Sequence, residues 1–287
     1  MTGAVVVGVA PEGRSAAAVR WAAAEAGERG LPLHLVNALV VPAGAMPGEV
    51  FAGITAARGL RALAERELAE MTLAAREVAP GLTVGSVVVQ GPTIGVLRAR
   101  ARTADLLVLG SDGLGPVTDL VLGGIARGVC GHVPGPVVVV PEGCDPAVRT
   151  RGDGHAAVVV GDDGTPGSYR ALGFAAERAR ARSAPLVVVR CGDPWDVPHD
   201  DLVLTDGGPP AEIVVARELP DRVLAQRSVD AEMVVLGVGD HGWWHPRRRT
   251  RPGVVLRSAC PVAVVPPVPV PGAVTRSPAH ASAGRGS

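Results

Sequence analysis

The feature that most constrains this chain is an internal repeat, because five apolar blocks occur twice in the same order. In the first copy these blocks are Val5–Ala10, Ala18–Ala26, Pro32–Ala38, Ala104–Gly110 and Gly135–Pro141, and in the second they are Val158–Asp163, Ala171–Ala179, Pro185–Cys191, Ala231–Gly237 and Cys260–Pro266. One match of this length could arise by chance, but an ordered series indicates a duplication. The chain therefore contains two copies of one small domain.

The blocks also predict the fold of each copy. Most are continuous runs of Val and Leu without polar alternation, which is typical of strands buried on both faces. Because such strands alternate with helical patterns, we expect βαβ units and open parallel sheets. We predict an α/β chain of two tandem doubly wound domains, each a five-stranded parallel sheet with helices on both faces. The domains are placed at residues 1–150 and 151–267, followed by a disordered Pro-, Ala- and Ser-rich tail at 268–287.

The two copies differ most between their second and third strands. In the first copy this interval carries Ile54–Val78, where apolar residues recur at steps of three and four, as in an amphipathic helix. The matching interval of the second copy is shorter, and residues 193–210 are rich in Pro, Gly and Asp. The second domain is therefore predicted to lack one helix.

Composition excludes several classes of function. The chain has 28 basic and 28 acidic residues, so no net charge attracts a polyanion. Aromatic residues make up 2% of the sequence, too few for a base-stacking surface, and we expect no nucleic-acid partner. Every basic residue is arginine, which excludes a Schiff-base lysine and the phosphate-binding lysine of a P-loop.

Signatures of catalysis and of membrane insertion are missing from the sequence as well. The cysteines form no C-x-x-C pair, and Cys191 and Cys260 fall in or beside apolar runs, where they are interpreted as buried apolar residues. The histidines show no metal-ligand spacing, and no acid–base pair is readable, so we expect no metal site and no enzyme. No apolar stretch approaches the roughly 20 residues that span a bilayer. A cytoplasmic protein without a membrane partner is expected.

A cluster of glycines follows the fourth strand of the first copy. The strand ends at Gly110, and Gly113 follows after two residues. Gly123 and Gly124 then directly precede a predicted helix that begins at Ile125. In an open parallel sheet, ligands bind beyond the carboxyl ends of the strands, and glycines before a helix offer N–H groups to an anion. The glycines therefore predict a phosphate cradle, although a tight turn and close helix packing would also require them.

The same glycines carry a resemblance to a known family. Gly110, Gly113 and Gly123 reproduce the G-x2-G-x9-G-(S/T) pattern of ATP-binding universal stress proteins. The segments VVVGV near the start, ADLLVLGSDG before the glycines and VPGPVVVVP at the end of the first copy are also similar to that family. Because the likeness covers both repeats, the chain resembles a tandem universal stress protein. The resemblance implies a Rossmann-like fold in each domain.

The resemblance also implies which positions surround an adenine nucleotide. They are Ala10, Ala38, Leu109, Gly110, Gly113, Gly123, Gly124 and Ile125. Two of them depart from the family, because Ala10 replaces the usual first-strand Asp and Gly124 replaces a Ser or Thr. Asp112 would repel the phosphates unless a divalent cation intervened. The expected ligand is therefore ATP, with Mg²⁺ as an accompanying ion.

The second copy departs from the pattern in the opposite way. Asp163 keeps the first-strand acid that the first copy lacks, whereas the loop after Gly237 loses the second glycine of the pattern. These two positions are the weaker counterpart of the first site. Residues 247–251 include four arginines, which could hold phosphate or form a solvated basic loop. We therefore expect the first copy to hold the nucleotide.

Three functions remain open at this point. The first is a stress-response module whose first domain binds ATP or a related adenine nucleotide without strong turnover. The second is a nucleotide-independent scaffold whose sites have decayed. The third is a weak nucleotide hydrolase, which the lack of a base, a lysine or a metal cluster disfavours.

The last strand of each copy bears on assembly. Val137–Val140 and Val262–Val265 are apolar and would lie at a sheet edge, where they invite pairing with another strand. The resemblance implies dimerisation through this strand. In a tandem chain the two edges can pair with each other, so we expect an internal pseudo-dimer of the two domains, with a homodimer of whole chains as a further state.

Overall fold

Strands and helices alternate along the chain, as the repeat predicts. The computed structural model describes residues 3–40, 50–111, 124–144, 150–151, 154–191, 211–238 and 250–266. The first copy contains β1 (Val5–Gly8), α1 (Ala16–Arg29), β2 (Leu33–Leu39), α2 (Val50–Val78), β3 (Val84–Gln90), α3 (Thr93–Ala101), β4 (Leu106–Gly110), α4 (Gly124–Val129) and β5 (Val137–Val140). A short hairpin of β6 (Thr150–Arg151) and β7 (Gly154–His155) follows. The second copy contains β8 (Ala157–Asp162), α5 (Pro166–Ala181), β9 (Leu186–Cys191), β10 (Ala211–Ala216), α6 (Pro220–Arg227), β11 (Ala231–Gly237), α7 (Thr250–Arg257) and β12 (Val262–Val265).

Within the described ranges, the ten strands outside the hairpin form one sheet in the order β10-β9-β8-β11-β12-β5-β4-β1-β2-β3. Neighbouring strands within each copy are parallel. The contact between β12 and β5 is antiparallel, and it pairs Val262 with Val139 and Val264 with Val137. The predicted α/β class with doubly wound parallel sheets is therefore confirmed. The final strands of the two copies form the seam between them.

Helices cover both faces of the sheet, and each face has its own apolar core. On one face α1, α2 and α5 pack against strand residues such as Val7 and Val160. On the other face α3, α4, α6 and α7 pack against residues such as Leu107 and Val234. Each core includes residues of both copies, so both apolar layers continue across the seam.

Local sequence sets the ends of the helices beside β1 and β8. Helix α1 ends at Gly30, whose left-handed backbone (φ 64°) lets its N–H reach the carbonyl groups of the last turn. Helix α5 begins after Thr165, whose side chain accepts a hydrogen bond from the N–H of Ser168. Pro166 occupies the first turn, where its missing N–H is not needed. The first turn of α5 is thereby held close to the end of β8.

Two helices differ from the sequence-based expectations. Helix α2 begins at Val50, earlier than the predicted Ile54. Thr250 and Arg251 belong to α7, so the prediction of a loop across 247–251 is wrong for its last two residues. A proline in the first turn does not interrupt a helix, which explains how α7 includes this segment. The predicted loss of a helix at residues 193–210 and the predicted tail lie outside the described residues, and the domain boundary at residue 150 stays a prediction.

Candidate functional site

Each half of the sheet changes direction once. In the first copy β4 and β2 lie on opposite sides of β1, and in the second copy β11 and β9 lie on opposite sides of β8. The connections that leave such neighbouring strands run to opposite faces of the sheet, which opens a crevice at their carboxyl ends. A cleft lies at each of these two positions.

The first cleft has a volume of about 130 Å³. It is lined by Gly8, Val9, Ala10, Pro11, Ser15, Val36, Asn37, Ala38, Thr93, Leu97, Leu109, Gly110 and Ile125. The structure therefore brings together the predicted positions Ala10, Ala38, Leu109, Gly110 and Ile125. Gly124 begins α4 and is exposed outside this lining, while Gly113 and Gly123 lie outside the described residues.

Two polar side chains that the sequence did not single out shape the edge of the first cleft. The Ser15 hydroxyl oxygen accepts a hydrogen bond from the N–H of Ala10 at 2.8 Å, and the same hydroxyl donates to the carbonyl of Gly8 at 3.4 Å. The Asn37 side-chain amide donates to the carbonyl of Val9 at 3.0 Å. These bonds fix the backbone that follows β1 beside the ends of the neighbouring strands.

Gly110 has a packing role in addition to its predicted role. A Cβ atom at this position would lie 3.1 Å from the carbonyl oxygen of Arg14, so the glycine allows β4 to pass close to the start of α1. The space around a Cβ on Gly124 is open. The requirement for Gly110 is therefore explained in part by its close packing against the segment before α1.

The second cleft is larger, with a volume of about 260 Å³. It is lined by Gly161, Asp162, Asp163, Ser168, Val189, Cys191, Pro220, Leu224, Leu236 and Gly237. Each of these residues is the repeat counterpart of a residue that lines the first cleft. The two predicted second-copy positions, Asp163 and Gly237, therefore meet in one cleft.

A buried ion pair lies at the edge of the second cleft. Asp162 accepts hydrogen bonds from the hydroxyl of Ser168 at 2.7 Å, from the N–H of Gly164 at 3.0 Å and from Nε of Arg190 at 2.8 Å. Burial by itself would raise the pKa of Asp162, but these hydrogen bonds and the charge of Arg190 lower it below its ordinary value. Asp162 is therefore held as a carboxylate that already has its donors.

Asp163 is exposed and serves the local turn. Its carboxylate accepts hydrogen bonds from the N–H of Thr165 at 3.1 Å and from the Thr165 hydroxyl at 2.5 Å. Such side-chain bonds to a residue two positions ahead are typical of Asx turns. The acid that the second copy retains at the family position is thus part of the turn that precedes α5.

Similarity to known proteins settles the family. The sequence pattern of the universal stress protein family matches residues 1–141 and 156–242. A universal stress protein of Mycobacterium tuberculosis strain H37Rv is 30% identical over 265 residues, which cover 83% of this chain and 87% of that protein. The chain belongs to the universal stress protein family.

Further relatives agree with this assignment. A universal stress protein of Mycolicibacterium smegmatis is 30% identical over 201 residues, which cover 68% of this chain and 66% of that protein, slightly less than two thirds of its length. The crystal structure of a universal stress protein from Archaeoglobus fulgidus aligns with a TM-score of 0.72 at 16% identity, covering 93% of this chain and 97% of that chain. At this identity the likeness shows the fold, and it confirms the Rossmann-like architecture of a tandem universal stress protein.

Three of the four cysteines of this universal stress protein are poor nucleophiles. Burial raises the pKa of Cys130 and of Cys260 to about 12. Cys260 is buried as expected, whereas Cys191 is half-buried and lines the second cleft, where burial and the nearby charge of Glu218 raise its pKa. These thiols therefore stay protonated near neutral pH.

The described part of this universal stress protein contains no group of three His, Cys, Asp or Glu side chains placed to hold a metal ion. Across the same residues, no helix is both long enough and apolar enough to cross a membrane.

The repeat alignment contains a signal for the polar residues that the sequence analysis overlooked. Ser15 and Ser168 are equivalent and identical, and each sits where the loop after a first strand meets a helix. Asn37 and Arg190 are likewise equivalent, and both are buried polar residues at the end of a second strand. Polar side chains that occupy the same repeat position in both copies were the available clue. In both copies they form hydrogen bonds beside the cleft.

Proposed function

We propose that this universal stress protein acts in the cytoplasm and binds ATP or a related adenine nucleotide in its first cleft, without strong turnover. The observation that carries the proposal is the meeting of Ala10, Ala38, Leu109, Gly110 and Ile125 at one crossover of the sheet. These positions are far apart in the sequence, and the family resemblance implies all of them. Their convergence on one cleft supports a shared role in ligand binding.

The lining of the first cleft fits the parts of a nucleotide. Val36, Leu97 and Leu109 offer apolar contact to a purine ring. In the proposal, the strand-end backbone at Ala38 recognises the adenine edge, and the N–H groups from 123 to 125 hold the phosphates. Mg²⁺ would reduce the repulsion between those phosphates and Asp112. Since position 10 carries no acid, binding depends on apolar contact and backbone donors.

The same lining argues against efficient hydrolysis. The described residues around the first cleft include hydroxyl and amide side chains, Ser15, Asn37 and Thr93, but no ionisable one. A hydrolase would need a group to activate water or to stabilise the charge that develops on the phosphoryl oxygens. We therefore propose a binding module rather than an enzyme.

A pair of matched variants tests where the nucleotide binds. Ala38→Phe fills the first cleft, and Cys191→Phe places the same side chain at the equivalent position of the second cleft. We expect Ala38→Phe to weaken ATP binding at least tenfold, while Cys191→Phe binds ATP as the parent does. The affinities are measured by calorimetry with and without Mg²⁺, and circular dichroism checks that both variants fold.

Two other outcomes would favour the alternative functions. If the parent chain binds no adenine nucleotide at millimolar concentration, the nucleotide-independent scaffold replaces this proposal. If ATP is bound and phosphate is released at a rate that Ala38→Phe abolishes, the chain is a nucleotide hydrolase. Mass spectrometry of small molecules that co-purify with the chain identifies which nucleotide occupies it.

A further inference from the structure

A cluster of buried charges joins the two copies on the face that carries α1 and α5. Arg178 of α5 donates to Glu25 of α1 and, through Nη2 at 3.1 Å, to Glu232 of β11. Nε of Arg182 lies 3.0 Å from the same Glu232 oxygen. The side chains of Glu25, Arg178 and Glu232 are each at most 4% exposed. This cluster lies away from both clefts and crosses from one copy to the other.

Glu25 and Arg178 occupy the same position of the repeat. The aligned helix blocks place them 153 residues apart, which is the offset of the whole first part of the repeat. Two equivalent positions can contact each other only where the two-fold axis that relates the copies passes between them. The sheet locates the same axis independently, because Val138 of β5 pairs with its own counterpart, Ala263 of β12.

We propose that the charge difference at this axis makes the seam selective, so that the first copy accepts the second copy and rejects another first copy. In a symmetric pair of first copies, Glu25 would face a second Glu25. In a symmetric pair of second copies, Arg178 would face a second Arg178. Burying two like charges side by side is strongly unfavourable. The partner that fits the β5 edge is therefore the second domain of this chain.

The neighbouring charges favour the same pairing. The mostly buried charges of the cluster are Glu25 from the first copy and Arg178, Arg182 and Glu232 from the second. The first copy thus contributes one excess negative charge and the second copy one excess positive charge. The mixed pair is neutral, whereas a pair of identical copies would collect two like charges in a buried place.

Stability does not by itself require this arrangement. A buried ion pair can often be replaced by apolar side chains without loss of stability. The paired strands are apolar on both sides of the seam, with Val137 and Val139 facing Val264 and Val262. An apolar edge of this kind would pair with an identical edge equally well. The charges at the axis therefore distinguish the correct partner from an identical copy.

Charge reversal in the full chain tests the proposal. Glu25→Arg and Arg178→Glu each place like charges at the axis, and we expect each to unfold at a clearly lower urea concentration than the parent. Arg180→Glu is the matched control, since it reverses an exposed arginine on the same helix. The combined variant Glu25→Arg with Arg178→Glu restores opposite charges at the axis. It is expected to be more stable than either single variant.

Mixing the two single variants gives a measurement that a merely structural role of these charges would leave unchanged. When Glu25→Arg chains meet Arg178→Glu chains, any two copies from different chains carry opposite charges at the axis, while copies of one variant always carry like charges. We expect native mass spectrometry to show a one-to-one heterodimer in the mixture and no dimer of either variant alone.

Two results would overturn the proposed selectivity. In one, the single variants are as stable as Arg180→Glu. In the other, the mixture of the two variants forms no more heterodimer than a mixture of two differently labelled parent chains. If the single variants do not fold, the combined variant decides, made together with Glu232→Gln so that the new carboxylate at position 178 does not face the charge of Glu232. A folded combined variant supports the proposal, and an unfolded one contradicts it.

Discussion

The two clefts share one backbone frame but differ in charge. At the end of the first strand the first copy has Val9, and Asn37 lies beside it on the second strand. The second copy has Asp162 and Arg190 at these positions, joined by an ion pair of 2.8 Å. This difference shows that the crevice comes from the order of the strands, whereas its chemistry comes from a few substitutions within the same frame.

The larger of the two clefts is not the one that is better suited to a nucleotide. The second cleft has about twice the volume of the first, but its copy lacks the second glycine of the phosphate-binding pattern after Gly237, and Asp162 is already bonded to Arg190. Phosphates bind next to backbone N–H donors, which glycines before a helix leave accessible. Among the described residues that line the first cleft, none is charged. We therefore propose that the nucleotide binds in the smaller cleft, and the following predictions test how far the two copies differ.

The largest expected effect concerns the ion pair of the second cleft. Asp162→Ala leaves the buried Arg190 without its acid, so we expect a loss of about 3–5 kcal/mol in the free energy of unfolding. The matched variant Asp162→Val with Arg190→Asn installs the residues of the first copy and should recover most of this loss. Urea unfolding measures both. Equal stability of Asp162→Ala and the parent would show that the ion pair contributes nothing.

The second prediction concerns the stability of the chain at low pH, which depends on Glu25 of the first copy. Burial would raise the pKa of Glu25, but Arg178, with Arg29 and Arg182, lowers it from 4.5 to about 2. A depressed carboxyl pKa means that Glu25 contributes stability above pH 4.5 and loses it as the pH falls toward about 2. The contribution is about 3 kcal/mol. We expect Glu25→Gln to flatten the fall of unfolding free energy across this window, and an unchanged slope would contradict the assignment.

A third prediction compares two equivalent glycines. A Cβ on Gly237 would lie 2.1 Å from the carbonyl oxygen of Gly167, whereas one on Gly110 would lie 3.1 Å from that of Arg14. Gly237→Ala should therefore destabilise the chain by about 1–3 kcal/mol, and Gly110→Ala by less. Thermal unfolding of the two variants tests the order. A larger loss for Gly110→Ala would mean that the first copy is the more tightly packed.

The smallest expected effect is a gain of affinity in the first cleft. Ala10→Asp and Gly124→Ser restore an acceptor and a hydroxyl donor at the two positions that depart from the family. Each should contribute roughly 1 kcal/mol to ATP binding, about fivefold in the dissociation constant. Ala10→Asn serves as the uncharged control, and calorimetry gives the affinities. No gain in the combined variant would show that these departures do not limit binding.

Much of the fold was predictable from the repeat. Apolar blocks such as Val158–Asp163 and Ala231–Gly237 have no polar alternation, and this pattern predicted the buried parallel strands correctly. The family pattern also predicted that Ala10 and Ala38 would meet, because strand ends in a doubly wound sheet converge at one edge. The duplicated order of elements supplied the rest of the architecture.

The buried charges were not predictable in the same way. Glu25 and Arg178 lie on helices whose local pattern does not separate a buried charge from a solvated one. Their contact depends on how two distant helices meet over the seam. Asp162 and Arg190 are also brought together by strand pairing between distant segments. Such pairs depend on tertiary structure, so local periodicity carries no sign of them.

The number of ATP molecules that one chain binds most directly tests the proposed difference between the two clefts. Calorimetric titration of the full-length chain with ATP in the presence of Mg²⁺ gives this number together with the affinity. We expect one ATP per chain, because the first copy keeps the glycine pattern proposed to hold the phosphates and the second copy has lost it. Two ATP molecules per chain, or none, would contradict this difference between the copies.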